Sequence, residues 1–168
     1  LILVFIVMAS QFESFTMPFV IMFSIPFAFT GVIVALFITG TTLSLVAALG
    51  AVLLIGIVVK NGIVLIDYTN LMRDRGMELY EAIAVSGKSR LRPVLMTAAT
   101  TVLGMLPLAL STGEGAEIWR PMGITVIGGL VFSTLVTMVI VPVMYGIMSR
   151  HGERNKKKEV IKQFQFME

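Results

Sequence analysis

The chain has 168 residues, of which 57% are hydrophobic and only 14% charged, with a net charge of +3 and no cysteine. A soluble domain of this size buries about 60–70% of its unfolded surface, too little to hide so much apolar area, and soluble domains carry about 25% charged residues. A soluble enzyme, a disordered chain, a disulfide scaffold and a thiolate metal site are therefore excluded, and the composition points to an all-α polytopic transmembrane helix bundle.

In chain order, Leu1–Ala9 is apolar without a basic leader, so it is not a signal peptide. As helix it would cover about 14 Å, under half a bilayer core, and it reads as the end of a span that begins upstream. A polar stretch, Gln11-Phe12-Glu13-Ser14, separates it from the first full span, 17–38, which is apolar except for Ser24 and Thr30. The second span, 43–71, contains one charge well inside it, Lys60. The basic stretch 73–92 follows. Within it, Met77, Tyr80, Ile83 and Ala84 share one helical face, which predicts a short interfacial helix over 77–87 bounded by Gly76 and Gly87. The third span, 93–110, is rich in threonine, and the fourth runs over 121–148. Both open with proline, Pro93 and Pro121, which suits a first helical turn. Residues 149–168 form a basic tail.

Lys and Arg set the orientation. Arg73, Arg75, Lys88, Arg90 and Arg92 crowd one connection, and Arg150, Arg154, Lys156, Lys157, Lys158 and Lys162 crowd the tail. Connection 40–42 has none, and 111–120 has Arg120 beside Glu114 and Glu117. Residues 10–16, 73–92 and 149–168 are thus expected on the cytoplasmic side, with 40–42 and 111–120 opposite. The tail reads as an anchor on the anionic lipid surface, and too few aromatics interleave with it for nucleic acid.

Small residues mark expected close approaches between helices: Gly31 with Ala35, Gly50 and Gly56, Gly104, and Gly123, Gly128 and Gly129. Four features are candidates for chemistry. Lys60 lies roughly 26 Å along its helix from Leu43, and a cation at the centre of a span costs about 2.5–3.5 kcal/mol on insertion scales. It calls for an anionic partner in a bundle interior unless its stem lets it snorkel. The other spans supply no carboxylate between their ends, and Asp67 lies about 10 Å further along the same helix, so the partner is expected from helices outside this chain. Asn61, beside it, is either a helper in a polar site or helix-to-helix glue. Thr97, Thr100 and Thr101 either line a hydrated path or bond back to their own helix. Arg90, in Arg90-Leu91-Arg92-Pro93, is either an anchor or the mouth of an ion path. Catalytic inventory is poor: the one histidine, His151, lies in the tail, and no phosphate loop is present. Neither an enzyme nor a cofactor is expected.

The motifs Ala9–Ser14, Gly56-Ile57-Val58-Val59-Lys60-Asn61-Gly62 through Asp67-Tyr68, Arg90 through Thr97, Gly104 through Leu110, Gly113-Glu114-Gly115-Ala116-Glu117 and Val126 through Leu130 together resemble the resistance–nodulation–division efflux family, in its hydrophobe/amphiphile, acriflavine-resistance branch. The resemblance covers about residues 1–148. It implies the end of the eighth and all of the ninth to twelfth transmembrane helices of a proton-driven drug antiporter in the bacterial inner membrane. It also implies a homotrimer working with a periplasmic adaptor and an outer-membrane channel. It places Lys60, Arg90 and Thr97, with Asn61 adjacent, in a proton relay completed by two aspartates of the missing N-terminal half. The substrate domains are absent as well. The metal-exporting branch would carry an acidic residue near Lys60, and this chain has none before Asp67, which disfavours metal export. The rival readings are a relative exporting lipids or coupled to another cation, and a non-transporting membrane scaffold subunit.

Overall fold

In hydrocarbon no water satisfies a backbone N–H or C=O, so apolar runs of this length close their hydrogen bonds internally as helices. The computed structural model describes residues 1–13 and 15–165, with side chains described as far as Ser149. Among the described residues six helices follow one another: α1 (Ile2–Phe12), α2 (Thr16–Met22), α3 (Ile25–Thr39), α4 (Leu45–Asp74), α5 (Leu79–Ala109) and α6 (Ala116–Gln165). The described residues contain no strand. Four stretches are long and apolar enough to cross a membrane: Thr16–Thr39, Leu45–Asp74, Leu79–Ala109 and Ala116–Ser149. The basic side chains of the tail beyond Ser149 lie outside the described residues.

Three of the differences from the sequence reading lie at prolines. The first full span is broken between α2 and α3 at Phe23 and Ser24. Pro26 has no N–H to offer the Met22 carbonyl, and in the same turn the buried Ser24 hydroxyl donates to the Ile21 carbonyl at 2.5 Å. The predicted helix over 77–87 does not stand alone: it is the first part of α5, which runs unbroken through Pro93. A proline inside a helix forfeits one hydrogen bond but does not have to end it where tertiary contacts hold the flanks. Ala82 and Ser86 on one side of Pro93, and Val94 and Ala98 on the other, are all buried. In the same way α6 begins at Ala116, ahead of Pro121.

The helix α6 is the hub, packing against α3, α4 and α5. Small residues let it approach. A Cβ added to Gly31 would lie 2.6 Å from the Cβ of Phe132 and 3.0 Å from the Gly128 carbonyl oxygen, and one on Gly128 would collide with the Ala35 methyl. Gly129 is overlain by Leu54 and Val32, and Gly50 abuts Met122. Around them Ala28, Val32, Leu36, Leu54, Val58 and Leu130 form one buried cluster, and Ile21, Val59, Ile66, Val141 and Tyr145 belong to a second. By contrast, a Cβ added to Gly56 or Gly104 would meet nothing within 4 Å, so their expected close approach is absent among the described residues.

Two groups of connections define the ends of the bundle. Thr39 to Thr42 and Ser111 to Pro121 meet at one end around a shared cleft. At the other, the α4–α5 turn lies near the last span: Tyr145 Oη donates to Asn70 Oδ1 at 2.6 Å, and Arg73 Nη1 donates to Ser149 Oγ at 3.2 Å. The chain therefore crosses back and forth, as the alternation of basic and non-basic connections requires.

Candidate functional site

The helices α4 and α5 carry the candidate residues, and the two are unequally covered. Over its apolar stretch α4 is 44% buried, whereas α5 is only 11% buried, which leaves a broad face of α5 without a partner among the described residues. Lys60 is exposed on α4, as is Gly56 one turn before it. On α5 the exposed residues include Met96, Thr97, Thr100, Leu103 and Gly104. A cation, hydroxyls and glycines belong against protein or water, since lipid would leave the ammonium unsolvated.

Asn61 lies on the other side of α4, 8% exposed, on the packed side of the bundle. Neighbouring residues on a helix are about 100° apart, and here the step carries Lys60 out and Asn61 in. That position suits contact between packed helices better than a shared polar site with Lys60. On α6, the hydroxyls of Thr125, Thr134 and Thr137 are buried without a hydrogen-bond partner.

The threonines of α5 resolve the alternative left by their spacing. Thr97 Oγ1 donates to the Pro93 carbonyl at 2.9 Å, Thr100 Oγ1 to Met96 at 2.8 Å, and Thr101 Oγ1 to Thr97 at 2.9 Å. Each spends its proton on its own helix. A hydroxyl bonded this way still has lone pairs, so exposed Thr97 can accept from an ammonium or a water but has no proton to spare in this arrangement.

Arg90 is half-buried, about three turns into α5. Its guanidinium carbon lies 4.5 Å from the centroid of the Tyr68 ring, and its Nε is buried without an acceptor. Arg90 and Tyr68 are thus brought together across α4 and α5. Tyr68 belongs to the α4 motif, yet periodicity gave it no role, because its partner comes from the next helix. Asn70 and Tyr145, which tie α4 to α6, were missed for the same reason.

At the opposite end, a cleft of about 540 Å³ lies between the α3–α4 and α5–α6 connections, with Thr41, Thr42, Ser111, Glu117 and Arg120 in its wall. Among the described residues no group of three or more His, Cys, Asp or Glu is placed to hold a metal ion.

Residues 1–149 match the model of the AcrB/AcrD/AcrF family. The chain belongs to that family of resistance–nodulation–division transporters. It is 41% identical over 153 residues to the cobalt-zinc-cadmium resistance protein CzcA of Cupriavidus metallidurans, covering 91% of this chain and 14% of that protein. It is 43% identical over 158 residues to the swarming motility protein SwrC of Bacillus subtilis, covering 94% of this chain and 15% of SwrC. It is also 43% identical over 148 residues to the multidrug resistance protein MdtC of Erwinia amylovora, covering 88% of this chain and 14% of MdtC. Among solved structures, a crystal form of a heavy metal efflux pump superposes with a TM-score of 0.80 at 34% identity, over 88% of this chain and 14% of the pump. The chain thus spans about one-seventh of the length of these relatives. Identities of 41% to the metal-resistance protein and 43% to the multidrug protein do not separate the two branches.

Proposed function

We propose that this chain forms part of the energy-converting membrane domain of a proton-driven efflux pump for drugs and other amphiphiles. The observation that carries the proposal is Lys60: a lysine inside an apolar span, exposed on a face that also presents Gly56. A cation on a lipid-facing surface there would cost about 2.5–3.5 kcal/mol, so the face is built to meet an anionic group on another helix. In the proposed cycle that group is a carboxylate of the remaining part of the transporter. Protonating it releases Lys60, and the helices move between two packings whose populations the proton shifts. Arg90 stands nearer the basic end, and Thr97 offers lone pairs along the same unpartnered side of α5. The pump would work as a homotrimer in the inner membrane, with the basic segment 73–92 and the C-terminus cytoplasmic, joined to a periplasmic adaptor and an outer-membrane channel.

A second reading, export of metal cations, is favoured by the likeness to the cobalt-zinc-cadmium resistance protein and the heavy metal efflux pump. Against it, the stretch Gly56–Ile66 around Lys60 holds no carboxylate, histidine or methionine to pass a metal along. The full-length transporter in proteoliposomes with an imposed proton gradient tests both. Ethidium export with proton counterflow, and none of Zn2+ or Co2+, is expected. Proton-coupled export of Zn2+ or Co2+ without ethidium would overturn the first reading.

A further inference from the structure

Arg90 is held in an unusual way for a half-buried cation. Its described contact is the face of the Tyr68 ring, 4.5 Å from guanidinium carbon to ring centroid, and its Nε is buried with no acceptor. One turn earlier on α5, the Ser86 hydroxyl is also buried without a partner. Asp67 precedes Tyr68 on α4 but is exposed, turned about 100° away from the ring. A carboxylate partner would neutralise Arg90 and occupy its N–H groups. An aromatic face attracts the cation through its quadrupole and accepts no in-plane hydrogen bond, so it fixes the plane of the guanidinium and leaves the charge and the donors available.

We propose that Tyr68 is a positioning residue: it holds Arg90 at the α4–α5 junction, charged and with donors open, ready for an anionic group arriving from another helix. This rests on the reading of Arg90 as part of the proton relay. The ring, not its hydroxyl, makes the contact. Tyr68→Phe should therefore keep the function, and Tyr68→Leu, which keeps apolar bulk but has no π face, should lose it.

Two readouts on the full-length transporter separate this proposal from the relay reading. The first is modification of Arg90 by phenylglyoxal, followed by mass spectrometry of the purified protein, with exposed Arg92 as the internal reference. Tyr68→Leu is expected to raise the Arg90 rate relative to Arg92 by about 5- to 30-fold, the range that stacking of this kind supports, and Tyr68→Phe to leave it within about twofold of the wild type. The second is the pH profile of proton-coupled ethidium efflux in proteoliposomes, expected to shift or collapse in Tyr68→Leu and to be restored in Tyr68→Phe. Equal labelling of Arg90 in wild type and Tyr68→Leu would overturn the proposal. So would raised labelling with an unchanged efflux profile, because the ring would then hold Arg90 to no functional end. If the wild type itself shows no proton-coupled efflux, the relay reading falls and the positioning role with it, while the labelling contrast still reports whether the ring holds the arginine.

Discussion

Replacing Gly123 by alanine should loosen the bundle where α5 meets α6. A Cβ at this position would lie 2.7 Å from the backbone nitrogen of Ala109, 3.0 Å from its Cα and 3.1 Å from its Cβ. The obstacle is mainly helix backbone, which cannot rotate aside as a side chain does, so the helices must part by several tenths of an ångström. Overpacking of this kind costs about 1–3 kcal/mol, a fall of roughly 5- to 150-fold in the folded-to-unfolded ratio. Gly56 is the control, because a Cβ there meets nothing within 4 Å. In that open position alanine should be neutral or stabilise by up to ~1 kcal/mol through helix propensity. The chain has one tryptophan, Trp119, one turn before Gly123, so its fluorescence reports this junction. Unfolding of the 168-residue chain by SDS in mixed micelles, followed by Trp119 emission, reads both variants. A Gly123→Ala midpoint equal to the wild type, or a larger loss from Gly56→Ala, would refute the packing argument.

Other predictions follow from the same features. Ser89→Cys, on this cysteine-free background, should resist an impermeant thiol reagent added outside intact cells, whereas Thr41→Cys should react; the reverse pattern would invert the assigned topology. Tyr145→Phe removes the 2.6 Å hydrogen bond to Asn70 and should lower stability in the SDS assay by about 0.5–1.5 kcal/mol, with no change expected from Tyr80→Phe, whose ring is exposed. Liposomes containing residues 1–168 alone should show no drug-stimulated proton flux, since Asp67, the carboxylate on the same helix as Lys60, lies about 10 Å from it along the axis, too far to pair with it; such a flux would show that the chain needs no further relay groups.

The spans were legible because apolar runs bounded by charged or turn-forming residues have few alternatives in lipid. The helix breaks were less so. Pro93 and Pro121 looked like first-turn residues, but neighbouring helices hold both flanks of Pro93, and α6 starts upstream of Pro121. Pro26, by contrast, leaves a carbonyl in the previous turn without its usual donor, and the Ser24 hydroxyl accompanies a break that composition did not betray. Lys60 stood out from its cost alone. The directions of its neighbours did not: Asn61 points into the bundle, and Thr97 is committed to the Pro93 carbonyl. The Tyr68–Arg90 stack lies between two helices, and periodicity along one helix carries no information about the register of the next.

The most direct test of the account is Lys60→Met in the full-length transporter, which keeps apolar volume and removes the charge. Expression and membrane insertion should match the wild type, while ethidium efflux and its coupled proton flux in proteoliposomes should fall to background. Efflux and proton coupling at wild-type levels would show that Lys60 is a structural residue, and the proposed proton relay would be wrong.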